Sequence, residues 1–165
     1  MTDTSRPIWH EADHLPLRTR PLGILTVMLV PQAHSFETPR GQRKIVQVAG
    51  GSLVGPRISA EVLAGGGDWA LTLCDGVLTL DVRLMLLCDD GALIYMTYGG
   101  MRHAPPEVTQ RLSRGEAVDP AAMYFRTAPR FETGDPRYAW LNRLLAVGVG
   151  ERLSTGPRYH IHEIL

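Results

Sequence analysis

The sequence predicts an all-β fold: one closed, mostly antiparallel barrel of about nine or ten strands. Three observations carry that expectation. Apolar and polar residues alternate over short runs, most cleanly across 78–87, where Leu80, Val82, Leu84 and Leu86 share one face and Thr79, Asp81, Arg83 and Met85 share the other. Turn signals built on Gly, Pro and Asp-Gly recur every ~8–12 residues. Helical periodicity is nearly absent. A barrel is preferred to a sandwich because nearly every run pairs an apolar face with a mixed face of Arg, Asp, Tyr or Trp. In a barrel wide enough for a ligand such faces can line the lumen; otherwise they face solvent. The chain has 165 residues, enough for one domain with one sizeable core.

Taken in order, residues 1–20 form a polar, proline-punctuated arm, and 21–165 form the barrel domain. The continuous apolar run 22–30 is a buried strand, and 31–43 is a polar loop containing Pro39 and Gly41. Residues 44–49 are a strand closed by Gly50 and Gly51. Gly55-Pro56 marks a turn or bulge, and 57–63 alternates again. Gly65, Gly66 and Gly67 lack the spacing and following helix of a phosphate loop, so they join strands. Residues 68–73 are a strand, Asp75-Gly76 a hairpin turn, 78–87 a strand, Asp89-Asp90-Gly91 a second turn, and 92–98 the partner strand. Residues 103–120 are a surface excursion with one helical turn around 107–113. The stretch 123–152 reads as two strands broken at Gly134, Asp135 and Pro136. The first presents Tyr124, Arg126, Ala128, Arg130 and Glu132 on one face; the second presents Trp140 and Asn142 and then an apolar run, 144–149. A last strand covers 158–165.

Lys+Arg and Asp+Glu both number 17, giving zero formal charge. That argues against a general nucleic-acid binder, which needs a basic surface or stripe. Lys44 is the one lysine, and arginine favours planar, bidentate pairing with carboxylates; a GC-rich genome produces the same bias. Cys74 and Cys88 form neither a disulfide framework nor a zinc pattern and are expected as buried thiols in a reducing compartment. The first residues lack a signal-peptide core, and no apolar run reaches the length of a membrane span. The expectation is a cytoplasmic protein away from membranes and nucleic acid.

The strings GGSLVGPR, GGGDW, DDG with LIYMTYGGMR, YFRTAPRFETGDPRYAWLN and VGVGER resemble a bacterial family, the domain of unknown function numbered 3237, over residues 22–165. The resemblance implies a single closed β-barrel similar in plan to lipocalin or allene-oxide-cyclase barrels. It implies no particular activity and assigns no catalytic residues. The N-terminal arm and the 103–120 excursion depart from the family pattern and suit a lid.

Candidate site residues come from the mixed faces. Arg57, Asp68, Asp81, Arg83, Arg126, Arg130 and Glu132 form an arginine–acid set. An arginine in an apolar lumen clamps a carboxylate, phosphate or enolate oxygen, and a nearby carboxylate or tyrosine moves a proton. The competing reading is an internal ion network that neutralises enclosed charge. Asp81, Glu132 and Tyr95 are the expected acid–base residues. Arg57, Asp68, Trp69, Arg83, Tyr124, Arg126, Trp140 and Asn142 are the expected ligand contacts, although strand aromatics commonly serve packing alone. His160 and His162 form an HxH pair whose third ligand, His103 or Glu132, the sequence does not locate, so no metal is expected. Nucleophile elbows and nucleotide fingerprints are missing, so no cofactor is expected. Two functions fit: a barrel binding an apolar or aromatic metabolite with a carboxylate or carbonyl group, or a cofactor-independent isomerase, cyclase or lyase using the same lumen. A filled interaction module is the third. Strand edges without partners allow a homo-oligomer.

Overall fold

The computed structural model describes residues 14–165. The chain runs through β1 (Thr19–Thr38), β2 (Gly41–Gly55), β3 (Ile58–Val62), β4 (Gly67–Leu73), β5 (Leu78–Cys88) and β6 (Leu93–His103). Helix α1 (Pro106–Ser113) follows, then β7 (Tyr124–Glu132), a 3-10 segment (Pro136–Arg143), β8 (Ala146–Arg152) and β9 (Pro157–Ile164). Every pairing is antiparallel, in the order β1-β9-β8-β7-β6-β5-β3-β2-β4. The sheet closes through β1–β2 and β5–β4. The first half of β2 pairs with β4 and the second half with β3, and both partners pair with β5. Together β3 and β4 fill one place in the wall, so the ring is a closed barrel of 8 strand positions. Of the expected arm, residues 1–13 lie outside the described residues, 14–18 carry no regular structure, and Thr19 and Arg20 already belong to β1.

The apolar faces point inward. Leu25, Leu53, Val62, Leu86, Ile94 and Met96 are fully buried, joined by Val27, Val48, Leu84 and Ile161. This corrects the expectation that the mixed faces line the lumen. Eight strand positions leave an interior about wide enough for side chains. Burying the apolar set there stabilises the fold by about 25 cal/mol per Å², whereas enclosing the charges of Asp81 and Arg83 would oppose it. Those charges face solvent.

Two element expectations and one burial expectation also change. Residues 31–38 continue β1 instead of forming a loop, pairing with the start of β2 beyond register shifts at Met28/Leu29 and Leu29/Ala33. The β1 half of this hairpin is held by ladder bonds with little burial, so 31–38 carry no core periodicity, whereas the β2 half places Val46 and Val48 in the core. Trp140 and Asn142 lie on the 3-10 segment, started by Asp135, whose carboxylate accepts the Arg137 amide. Cys74 is exposed in the turn before Asp75-Gly76, while Cys88 is buried and both are free thiols. The helix expected around 107–113 is α1.

Both ends of the barrel are covered. At one, the 3-10 segment inserts Leu141, 1 % exposed, with Tyr138, Trp140 and Leu144 packed on the core. At the other, the excursion between β6 and β7 lays Ala104, Leu112 and Met123 against the core and buries Val108 of α1.

Candidate functional site

The inward positions nearest the α1-covered end break the apolar rule. Cross-strand register carries Asp68 on β4 to Val82 on β5 and Val82 to Tyr98 on β6. It also carries Arg102 to Phe125 on β7, and Gly150 on β8 to Tyr159 on β9. Tyr98, Phe125 and Tyr159 are buried and pack edge to face, with Tyr159 at 5.2 Å from each of the other two rings. Gly150 makes room for this stack. A Cβ on it would sit 2.6 Å from the Phe125 ring. The guanidinium of Arg102 lies over that ring at 5.7 Å.

The electrostatics single out the same cluster. Burial lifts the Asp68 carboxyl to about 6; the Asp81 carboxylate adds to this, while the Asp81 amide, Arg102 and Arg43 oppose it. The Asp81 amide donates to Asp68 Oδ1 at 3.1 Å, filling a stretch without paired residues between Asp68↔Val82 and Leu71↔Thr79. Burial holds the Tyr98 phenol well above its usual range, helped by adjacent Tyr159, a hydrogen bond between the two side chains, and Asp68. Burial raises Tyr159 too, against the pull of Tyr98, Arg102 and Arg152. Arg102 is lowered by burial and then by the like charge of Arg152, against the opposing pull of Tyr159 and Asp68. Neither Arg102 nor Arg152 forms an ion pair among the described residues. Two guanidiniums, a carboxyl and two phenols thus lie near enough to act on one another at one end of the barrel. Chemically, the set can bind an oxyanion and exchange a proton near neutral pH.

Of the sequence-expected residues, this cluster contains Asp68. The others lie elsewhere, in separate groups. Trp69, Asp81 and Arg83 come together with Arg43 around an open depression of about 490 Å³ on the outer wall. There Arg83 pairs with Asp81 at 3.2 Å and lies 5.0 Å over Trp69. Tyr95 and Glu132 are exposed cross-strand neighbours on β6 and β7. Tyr124 stacks on His103 at 4.9 Å, and Arg126 lies 5.1 Å over it while donating to the Phe125 carbonyl at 3.0 Å. Arg57 joins Trp140, 3.8 Å from the ring centroid, and both Arg57 and Arg20 pair with Glu163, whose side chain is 13 % exposed. This group ties the plugged end together. His160 bonds Glu151 at 3.2 Å, and among the described residues no three metal-ligating side chains gather.

Sequence reasoning missed Arg102, Arg152, Tyr159 and the inward role of Tyr98. A signal was present: continuing the apolar parity of β6 from Ile94 through Met96 and Tyr98 lands on Arg102, and the glycine parity of β8, Gly148 and Gly150, lands on Arg152. Polar residues that end an inward-facing series are the ones a barrel encloses.

Comparison with known proteins agrees with this architecture. The family model described as "Protein of unknown function (DUF3237)" matches residues 17–164. A UPF0311 protein of Rhodopseudomonas palustris is 36% identical over 149 residues, covering 90% of this chain and 97% of its own. The crystal structure of that protein superposes with a TM-score of 0.86 at 35% identity, covering 92% of this chain and 99% of the other. A β-barrel-like protein of Acinetobacter baumannii gives 0.80 at 33% identity, covering 94% and 100%. An enzyme of Penicillium herquei gives 0.68 at 21% identity, covering 98% of both, a likeness of fold. No helix among the described residues is long and apolar enough to cross a membrane.

Proposed function

The chain belongs to the DUF3237 family, and for this member we propose a barrel that binds a small organic molecule, presenting the molecule's carboxylate or carbonyl oxygen to Arg102 and Arg152 beneath the α1 excursion. The observation that carries this reading is the pair of arginines at inward register positions, Arg102 and Arg152, neither of them in ion-pair contact with a carboxylate, with Asp68 and Tyr159 offsetting the burial of Arg102 only at longer range. Enclosing the Arg102 charge beside a second guanidinium is costly, and an anion bound between the two would relieve it. The fork geometry of arginine suits a carboxylate. Phe125, Tyr98 and Tyr159 supply flat apolar walls, which favours an aromatic or otherwise flat body for the ligand.

A second reading rests on Asp68. A carboxyl at about 6 is half ionised close to neutral pH, which suits a general base. In a cofactor-independent isomerase, cyclase or lyase, Asp68 would take a proton while Arg102 stabilises the developing oxyanion. The same fold serves an enzyme in Penicillium herquei.

Calorimetric titration with a panel of aromatic carboxylates tests the binding reading. At least one should bind, and Arg102→Gln and Arg152→Gln should each weaken it about tenfold or more. Wild-type affinity in both variants would sink the assignment. Solvent exchange of an acidic proton on the bound molecule, lost in Asp68→Asn with binding kept, is the outcome the second reading requires.

A further inference from the structure

The wall between β7 and β8 is incompletely laddered. The two strands pair at Arg126↔Val149 and Thr127↔Gly148, yet β7 continues to Glu132. Past that point the 3-10 segment stands where β8 would be. Its Asn142 side chain donates from Nδ2 to the Thr133 carbonyl at 2.8 Å and accepts the Thr133 amide at 2.9 Å. The carboxamide pairs as a strand residue would, so Thr133 turns both backbone groups toward the seam. These groups alternate sides along a strand, which turns those of Phe131 and Pro129 the same way. Pro129 fits that assignment: opposite Tyr98 on β6, it is not asked for an amide toward β6. The Phe131 amide has no backbone partner across the seam among the described residues.

A cleft of about 330 Å³ lies over this gap, lined by Arg130, Phe131, Asn142, Arg143, Leu144 and Leu145. Neither Arg130 nor Arg143 forms an ion pair among the described residues. Leu145 is 57% exposed and gives the cleft an apolar side.

We propose that this seam is a second, outer binding site, for a small organic carboxylate. Its oxygens sit between Arg130 and Arg143, one of them accepting the Phe131 amide, and its hydrocarbon part lies on Leu144 and Leu145. The volume matches a small ligand, since pockets of this kind start at about 300 Å³. Guanidinium forks and a spare backbone amide are the donors a carboxylate takes up. The site is independent of the arginine pair inside the barrel.

The test follows backbone amides of the full-length ¹⁵N-labelled chain by NMR during titration with benzoate and, separately, succinate at low ionic strength. Either carboxylate should shift the Phe131 amide saturably. The Arg130→Gln/Arg143→Gln double variant should weaken that binding about tenfold or more, and Arg102→Gln should leave it unchanged. The absence of a saturable Phe131 shift, or undiminished binding in the double variant, overturns the seam site. Loss of the shift in Arg102→Gln places the carboxylate in the lumen and overturns it equally.

Discussion

Asp68 is the residue whose environment most constrains the chemistry. Its carboxyl moves from an ordinary 3.8 to about 6 because burial disfavours the anion. The sign follows from proton uptake. Between those values the folded chain holds the proton more tightly than the unfolded chain, so this group's contribution to stability is complete below about pH 4 and is lost as pH rises through about 6. At ~1.4 kcal/mol per pKa unit, the loss is on the order of 2–3 kcal/mol. Asp68→Asn keeps an oxygen for the Asp81 amide and removes the charge. Urea unfolding should show this variant more stable than wild type at pH 7.5 by about 2–3 kcal/mol, with the gap narrowing as pH falls and closing only near pH 4. A gap independent of pH would mean that the carboxyl is not enclosed as described.

At the level of elements, the 3-10 segment was the hardest to anticipate. Trp140 and Asn142 are two residues apart, which mimics strand alternation, and the apolar run after them reinforced that reading. The segment closes the barrel instead, through Leu141 and the Asn142 clamp on Thr133. Its start was legible in Asp135-Pro136, an acceptor followed by a residue suited to a first helical turn. Removing the clamp in Asn142→Ala deletes both hydrogen bonds and releases the end of β7 from the 3-10 segment, while β6 still holds its other side. The expected cost is about 1–2 kcal/mol, with faster hydrogen exchange at the Thr133 amide. Unchanged exchange there would show that β7 is held by something other than Asn142. The β1 half of the hairpin past Leu29 was illegible for a different reason, while its β2 half, 44–49, read as a strand. Residues 31–38 bury little, so hydrophobic period, the main sequence signal for a strand, is missing from them.

For the whole molecule, alternation and turn chemistry were enough to indicate a barrel, because each strand has one face apolar enough to be buried. Which face turns inward depends on the width of the ring, a property of all the strands together. Residue-by-residue reading assigned Asp81, Arg83, Tyr95 and Glu132 to a lumen, while closure at eight positions put them outside. The interior then admits polar groups only at its ends, and the end beneath α1 is where Asp68, Arg102, Arg152 and the tyrosines collect. The claim that this collection is a ligand site is tested most directly by native mass spectrometry of protein isolated from its own host, followed by denaturing release of whatever is bound. A single carboxyl- or carbonyl-bearing molecule at one per chain, present on the wild type and missing from Arg102→Gln/Arg152→Gln, is the predicted result. A wild-type chain that emerges empty, or a double variant carrying the same molecule, would contradict it.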